Sequence, residues 1–579
     1  MALSSALSMA SFGILTTQTK ISVISQNITN ADVAGYTRKT HVSEQFTTNI
    51  GTYVTGGVIN SALNKYLVRD AIDDMFVLGR TSALTSTATI YGKKIGNIAS
   101  EYSLADSLDR MHQGLSALAV SPEDTAYKTQ VVNDARQMSN YLRNLTETIQ
   151  EQRFTADKEM SNVVSRVNGA LAALQELNEE MAFAGQTTQM DTSNYEDQRY
   201  YLLQQIAQDV EINYFTTSDN RIQVYLPGGT PLLMSKVSPL EFTGATSMNE
   251  LTTYPGTLDG ITVNGIDVTS NIRGGKLAGF IEARDDFFVD EQAKLNELSN
   301  KLMNQVNAAL NMGSSLPPRT SMTGVTANLT AASPFSGAGT FRVAVVNPNG
   351  TLVNYQDINI GAMATVGDVV TALNAVPGIS ATLTAAGELS ISATAANTAL
   401  AINSNNTVTT PDGFNVGQFF GMNNLFKGTG ASNIAVADYL NTSADFLASG
   451  ALSMSATLAV GDAAISPGDG TIAKRVADSL YQSVAFNAAG NFGVQNNSVM
   501  NYTQSFMTNA VFRSNAANED MKTADMLLKN SLSLLDSTQG VNIDEERALL
   551  LQLENNYKAS ASVIQTIQTL FDALIDAIR

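Results

Sequence analysis

Both ends of this chain carry the same narrow apolar seam, and that pair constrains the fold more than anything between them. Near the start, Leu3, Leu7, Ala10, Ile14, Thr17, Ile21, Ile24 and Ile28 fall at alternating helical intervals, the a/d line of a heptad with one polar break at Thr17. Near the end, Leu550, Leu553, Tyr557, Ser560, Ile564, Ile567, Phe571, Leu574 and Ile578 repeat the pattern, with one polar break at Ser560. The C-terminal helix has a marked beginning. Gly540 and Val541 precede Asn542, which is placed to cap it. Glu545 is placed to reach back, and Asp544, Glu545 and Glu546 sit on the positive end of the helix dipole. Such a helix is roughly 55–60 Å long. A stripe this narrow is weak alone in water and asks for a partner. The two seams can pair with each other as a stalk inside a polymer, dock into an ordinary globular body, or zip to a second molecule.

Composition removes most chemistry. Lys and Arg number 34 against 53 Asp and Glu, a net charge of −19, which argues against nucleic acid or a polybasic membrane contact as partner. With no cysteine, disulfides, thiolate metal sites and cysteine nucleophiles are excluded. The two histidines, His41 and His112, lie far apart in the sequence and read as surface or interface residues rather than ligands. Gly337-Ala338-Gly339 and Gly428-Thr429-Gly430 lack the third glycine and the strand-to-helix setting of a phosphate loop. The expectation is a non-enzyme with no cofactor and no metal. No apolar run approaches the roughly twenty residues of a membrane span. The first basic residue is Lys20, so no cleaved signal peptide is expected.

The middle of the chain reads as long helices interrupted by β structure. Ser121-Pro122-Glu123-Asp124 reads as a helix entry, and Val131, Ala135, Met138, Leu142, Leu145 and Ile149, then Met160, Val164, Val167, Leu171, Leu174 and Met181, predict a rod of roughly 90 Å. Ser193-Asn194-Tyr195-Glu196 reads as a capping box. Further helices are expected around Leu295, Leu298, Leu302 and Val306, through Ile472, Val476, Leu480 and Val484, and at Leu528, Leu532 and Leu535. Residues 314–470 hold only three basic and eight acidic groups among 157 and are dominated by small and hydroxyl residues, so the helical pattern stops there. Strand and turn signals with a helix at 366–376 predict a ββαββ unit near 340–394. The fold class is α+β multidomain: a terminal α-helical coiled coil plus an elongated helical bundle with β-rich outer insert domains. The expected division is 1–45 with 540–579 as a terminal coiled-coil inner domain, 46–312 with 472–539 as the bundle, including a β-rich segment at 211–272, and 313–471 as the outer insert.

The segment after the first seam reads Ser25-Gln26-Asn27-Ile28-Thr29-Asn30-Ala31-Asp32-Val33-Ala34-Gly35-Tyr36-Thr37-Arg38. It resembles the N-terminal signature of the bacterial flagellar axial proteins, the rod, hook and hook-associated family. Asn27 and Asn30 can cap or break the helix, Gly35 permits a left-handed turn and Tyr36 anchors it. The run 540–546, with Gly540, Asn542 and Glu545, followed by Tyr557 and Ala559-Ser560-Ala561, resembles the family's other end. Stretches at 104–124, 226–229 and 274–285 resemble the hook-associated members at the junction of hook and filament. The resemblance covers about 1–312 and 472–579. It implies a structural, exported protein of the extracellular flagellum, leaving through the flagellar type III apparatus. The implied partners are further copies of itself in a helical layer, the flagellar hook protein, the second junction protein of the hook–filament junction, and an export chaperone on the C-terminal helix. A hook or rod protein is the nearer rival reading. A secreted coiled-coil adhesin or effector is the more distant one, disfavoured because Lys20 is the only basic residue before Arg38.

Overall fold

The computed structural model describes residues 2–33, 35–48, 51–96, 101, 103–184 and 192–578. In chain order the helices are α1 (Ala2–Thr29), α2 (Lys65–Ile95), α3 (Leu104–Val120), α4 (Thr125–Ala184), α5 (Ser193–Asp209), α6 (Gly275–Glu282), α7 (Phe288–Leu310), α8 (Val366–Asn374), α9 (Val416–Phe420), α10 (Asp438–Thr442), α11 (Thr471–Ser479), α12 (Val499–Gln539) and α13 (Ile543–Ile578). A hairpin of β1 (Lys39–Thr48) and β2 (Gly51–Ser61) leads from α1 to α2.

The body is a helical bundle built from both halves of the chain. Helix α12 runs along α2, α3 and α5 flank the long α4, and α11 lies against α3 and α7. The apolar stripe predicted along α4 is the one it buries: Val131, Ala135, Met138, Leu142, Leu145, Ile149, Met160, Val167, Leu171 and Leu174 are all buried in one continuous core. Its start differs from expectation. Ser121 closes α3 by donating its N–H to Ala117 O, and the next helix is capped three residues on, where Asp124 Oδ1 accepts from Ala126 N at 2.7 Å. The α11 pattern also stops short: Leu480 follows its last turn, and Val484 begins a strand, Val484–Phe486.

Charged side chains pin this core. Between α6 and α7 a π-helical turn, Ala283–Phe287, turns Arg284 inward. Arg284 is buried and donates to Asp157 Oδ1 on α4 at 2.7 Å and to both oxygens of Asp285 at 2.9 Å. Arg153, also buried, donates to Arg284 O at 2.9 Å and to Thr252 O at 2.7 Å. On α7, Glu291 accepts from Lys294 at 2.6 Å, from Arg513 of α12 at 2.8 Å and from the Tyr91 hydroxyl of α2 at 3.3 Å. Burial raises the Tyr91 hydroxyl's pKa, and the neighbouring Glu291 raises it further, so it donates to the carboxylate.

Two small antiparallel sheets lie within 213–267, one of β3 (Asn213–Thr216), β4 (Ile222–Tyr225) and β5 (Pro231–Leu233), the other of β6 (Leu240–Glu241), β7 (Thr262–Val263) and β8 (Ile266–Asp267). The insert follows α7. There β9 is Ser321–Thr323, β10 Gly337–Val346, β11 Leu352–Asn359, β12 Ile379–Leu383, β13 Leu389–Ala393 and β14 Ala399–Asn403; β10, β11, α8, β12 and β13 run in the strand–strand–helix–strand–strand order expected near 340–394. The strands divide between two sheets, β11-β10-β14 and β12-β13-β9. From Phe341 to Val346, strand β10 is buried on both faces. Val343 and Val345 join a core with Ile391 and Phe420, while Ala344 and Val346 join a second one with Leu452 and Ile465. One boundary differs from expectation: Leu425, Phe426, Ile434, Val436, Leu440 and Leu447, placed by sequence in the outer insert, return to the core of the bundle.

Arg284→Met should cost about 3–5 kcal/mol, because it strands two buried carboxylates. Thermal unfolding of the full chain checks this, with Lys474→Ala, in an exposed i,i+4 pair, expected to stay within about 0.5 kcal/mol as control.

Candidate functional site at the joint of the two chain ends

The two terminal helices pair with each other. A Cβ built on Gly13 would lie 3.8 Å from Ser560 Oγ, and Asn27 bonds Glu546. The same interval up α1 is thus the same interval down α13, so the ribbon is antiparallel. That register brings Leu3 within one residue of facing Phe571, and likewise Leu7 and Ile567, Ile14 and Ser560, Thr17 and Tyr557, Ile21 and Leu553, and Ile24 and Leu550. The two seams therefore mesh step for step, with the polar breaks Thr17 and Ser560 falling one step apart.

The seam is shallow. Ile24 and Ile567 are buried, whereas Leu3, Leu7, Ile14, Ile21, Ile28, Leu550, Leu553, Tyr557, Ile564 and Phe571 are only half-buried. Leu574 departs from expectation: it is 53% exposed. Phe571 already faces Leu3, so the turn carrying Leu574 has no turn of α1 across from it. Ile578 ends α13, with its side chain outside the described residues.

Below the seam the ribbon meets the body at a buried polar joint. Asn27 is fully buried with its amide saturated. Its Nδ2 donates to Lys39 O at 2.9 Å and to Glu546 Oε2 at 3.1 Å, and its Oδ1 accepts from Lys39 N and from the Tyr36 hydroxyl, both at 2.9 Å. Glu546 Oε1 accepts from Arg38 Nε at 2.6 Å. The backbone of Arg38 is held in turn: its N–H donates to Gln539 O at the end of α12, and its C=O accepts from Ala62 N, each at 2.9 Å. Lys39 is buried as well, with Nζ on Asp197 and on Ser193 O at the start of α5, while Asp197 accepts from Thr37 N at 3.1 Å and Thr37 Oγ1 at 2.6 Å. Four segments, the end of α1, the turn after it, the α12–α13 link and the start of α5, are closed by one hydrogen-bonded cluster. Among the described residues, no group of three or more His, Asp or Glu side chains converges as metal ligands would.

Several signature residues have plain roles. Gly35 sits at φ +80°, the left-handed turn that its position demanded, with the Tyr201 ring 3.4 Å from where a Cβ would lie. Gly540 is needed for space instead, since a Cβ there would meet Asp536 O at 2.4 Å. Asn542 caps α13, accepting from Asp544 N at 3.1 Å and Glu545 N at 3.3 Å. Asn30 acts through its backbone, where its C=O accepts from Val33 N at 3.0 Å. Glu545 is a correction: its side chain is exposed, and the carboxylate that reaches Asn27 and Arg38 belongs to Glu546. The capping box read at Ser193 and Glu196 is absent too. Helix α5 starts without a side-chain cap, and Ser193 serves the joint through its carbonyl.

Glu546, Arg38, Lys39 and Asp197 were not singled out from sequence. One signal was present: continuing the C-terminal seam back one step from Leu550 lands on Glu546, an acid on an apolar line.

With the geometry in hand, comparison with known proteins is direct. Residues 94–321, from the end of α2 through α7, match the family model described as the flagellar hook-associated protein FlgK helical domain. Over this domain the chain is similar to the flagellar hook-associated proteins. It is 23% identical over 593 aligned positions to flagellar hook-associated protein 1 of Escherichia coli (strain K12), covering 99% of this chain and 100% of that protein. Against the protein of the same name from Salmonella typhimurium it is 22% identical over 243 positions, 41% of this chain and 44% of that one. The solved flagellar hook junction protein FlgK from Burkholderia pseudomallei gives a TM-score of 0.48 at 14% identity, over 83% of this chain and 100% of that one.

Glu546→Ala should release the ribbon, costing about 1–3 kcal/mol locally by leaving Arg38 and Asn27 without their acceptor. Hydrogen exchange should speed up in α1 and α13 and stay unchanged in α4, whereas Glu545→Ala should leave both unchanged.

Proposed function

We infer that this protein is a structural component of the bacterial flagellum that joins hook to filament by helical self-assembly, and that it is not an enzyme. The observation that carries the reading is the terminal ribbon. Its two helices mesh with each other yet stay half-exposed, and each keeps large apolar side chains on its outer flank: Met9, Phe12 and Leu15 on α1, Val563, Leu570 and Ile575 on α13. A two-helix ribbon cannot cover those flanks, and neighbouring copies can. Similarity of residues 94–321 to the hook-associated helical domain, and a full-length relative named as a hook-associated protein, support a place at the hook. The assembly surface is then the seam and its flanks, with the joint residues setting how the ribbon leaves the body.

On this reading residues 1–45 with 540–579 form the inner layer, the bundle the next, and the insert within 313–471 the outer surface. The hook protein lies on one side and the second junction protein on the other. A chaperone covers the C-terminal stripe before export, because an unpaired apolar helix is an aggregation hazard. The chain works outside the cell, at the flagellum.

A clean deletion of the gene tests the reading: hooks without filaments, and flagellin in the medium, are expected. Intact filaments would overturn the junction role, and loss of the hook as well would move the protein toward rod or hook. Ile567→Asp should abolish assembly while the thermal transition of the body stays in place, since the substitution touches only the ribbon.

A further inference from the structure

Three Asn-Gly pairs lie in the chain: Asn168-Gly169, Asn264-Gly265 and Asn349-Gly350. In such a pair the glycine nitrogen, once it loses its proton to hydroxide, can attack the asparagine side-chain carbonyl carbon. The new N–C bond closes a five-membered succinimide, and the side-chain nitrogen leaves as ammonia. Water then opens the ring to aspartate or isoaspartate. Glycine favours the step because no Cβ obstructs the ring. Two freedoms are needed: a nitrogen free to lose its proton and a side chain free to rotate toward it.

The fold grants both freedoms to one pair and withholds them from the other two. Asn168 is clamped to Leu240, donating from Nδ2 to its C=O at 2.8 Å and accepting at Oδ1 from its N–H at 2.9 Å, while Gly169 lies inside the helical ladder of α4. Asn349 Oδ1 accepts from Thr351 Oγ1 at 2.9 Å and from Thr351 N at 3.3 Å, and the buried Gly350 donates its N–H to Asn347 O at 2.8 Å. Asn264 and Gly265 are the two central residues of the β7–β8 turn, at φ +51° and +76°, the left-handed pair of a type I′ turn. Val263 and Ile266, on either side, pair across it, so the turn is held without the reacting groups. Both residues are exposed, and neither the Asn264 side-chain amide nor the Gly265 N–H has a hydrogen-bond partner among the described residues. Nothing lies within 4 Å of where a Cβ on Gly265 would stand.

We propose that Asn264 is a self-modification site: with water as co-reactant it deamidates through Gly265 N to aspartate and isoaspartate, while the fold holds Asn168 and Asn349 inert. The product differs in charge and in backbone. One carboxylate is added to a chain of net charge −19. Isoaspartate also lengthens the main chain by one methylene, which a two-residue turn of fixed geometry does not accept. Val263 and Val268, on either side of the turn, are buried in the core of the bundle, so losing the turn loosens the edge of that core.

The test incubates the purified full-length chain at mildly alkaline pH and follows each pair by peptide mapping in acid, where deamidation adds about 1 Da to the peptide that carries it. In the folded chain Asn264 should convert at least about tenfold faster than Asn168 or Asn349, since those two must first break hydrogen bonds. In the same chain unfolded in urea, the three rates should fall within about threefold of one another, because the clamps are gone. A folded chain in which Asn264 does not lead overturns the proposal. A lead that persists undiminished in urea overturns it as well, since local sequence rather than the fold would then select the site.

Discussion

The contact on which the rest of the molecule depends joins residues 519 positions apart, the Asn27 amide and the Glu546 carboxylate. A heptad seam is directionless: apolar residues bury against any partner of similar shape. Hydrogen bonds are not. Asn27 is saturated only when the turn at Tyr36 and Lys39 has folded beneath it and α13 has arrived beside it, and Arg38 reaches Glu546 only while its backbone is held by α12. The cluster is favourable when complete and costly when any member is missing, as for any buried polar network. The departure of the ribbon from the body is therefore fixed by a small number of bonds, while its length is held by a shallow apolar line.

This division sets a gradient of stability along the molecule. In the bundle, stripes on α4, α7 and α12 face several neighbours each, and their side chains are buried outright. In the ribbon each helix has one long neighbour, and even well-meshed seam residues remain half-exposed. Local opening is easiest where buried apolar contact per residue is least. A subunit built this way presents a finished body and an unfinished end, which, on the proposed assembly, further copies would stabilise by covering it. Ordering of the ends and growth of the proposed polymer would then be one process.

Much of this was legible in the sequence because it is periodic. The two seams, the α4 stripe and the strand order of the insert all follow from counting, and the meshing of α1 with α13 is implicit in intervals that run in mirror order. What could not be counted is how segments distant in sequence share hydrogen bonds. Glu545 was the reasonable choice for a capping acid by local spacing, yet Glu546 points to Asn27 because the partner helix decides which face is inside. The start of α4 moved for a similar reason, since Ser121 was needed to finish α3. Segment 425–448 reads as insert by composition, but its large apolar side chains fit the bundle core. Composition describes a segment's surface better than its destination.

The position of Glu546 explains more than a missed residue. It continues the apolar line of α13, where an isoleucine would add seam contact. Seams with one polar break each and otherwise similar residues would tolerate sliding by a heptad. With the acid in place, a slip that carries Glu546 up to face Ile21 buries its carboxylate against apolar side chains, far from Arg38 and Asn27, and an unpaired buried carboxylate costs several kcal/mol. A slip the other way moves it past the end of α1 and breaks the bonds that saturate Asn27. Some seam stability is given up for a single register, the use for which polar residues at core positions of coiled coils are best attested. If, as proposed, the ends meet identical neighbours in every copy, a unique register matters more than one further apolar contact.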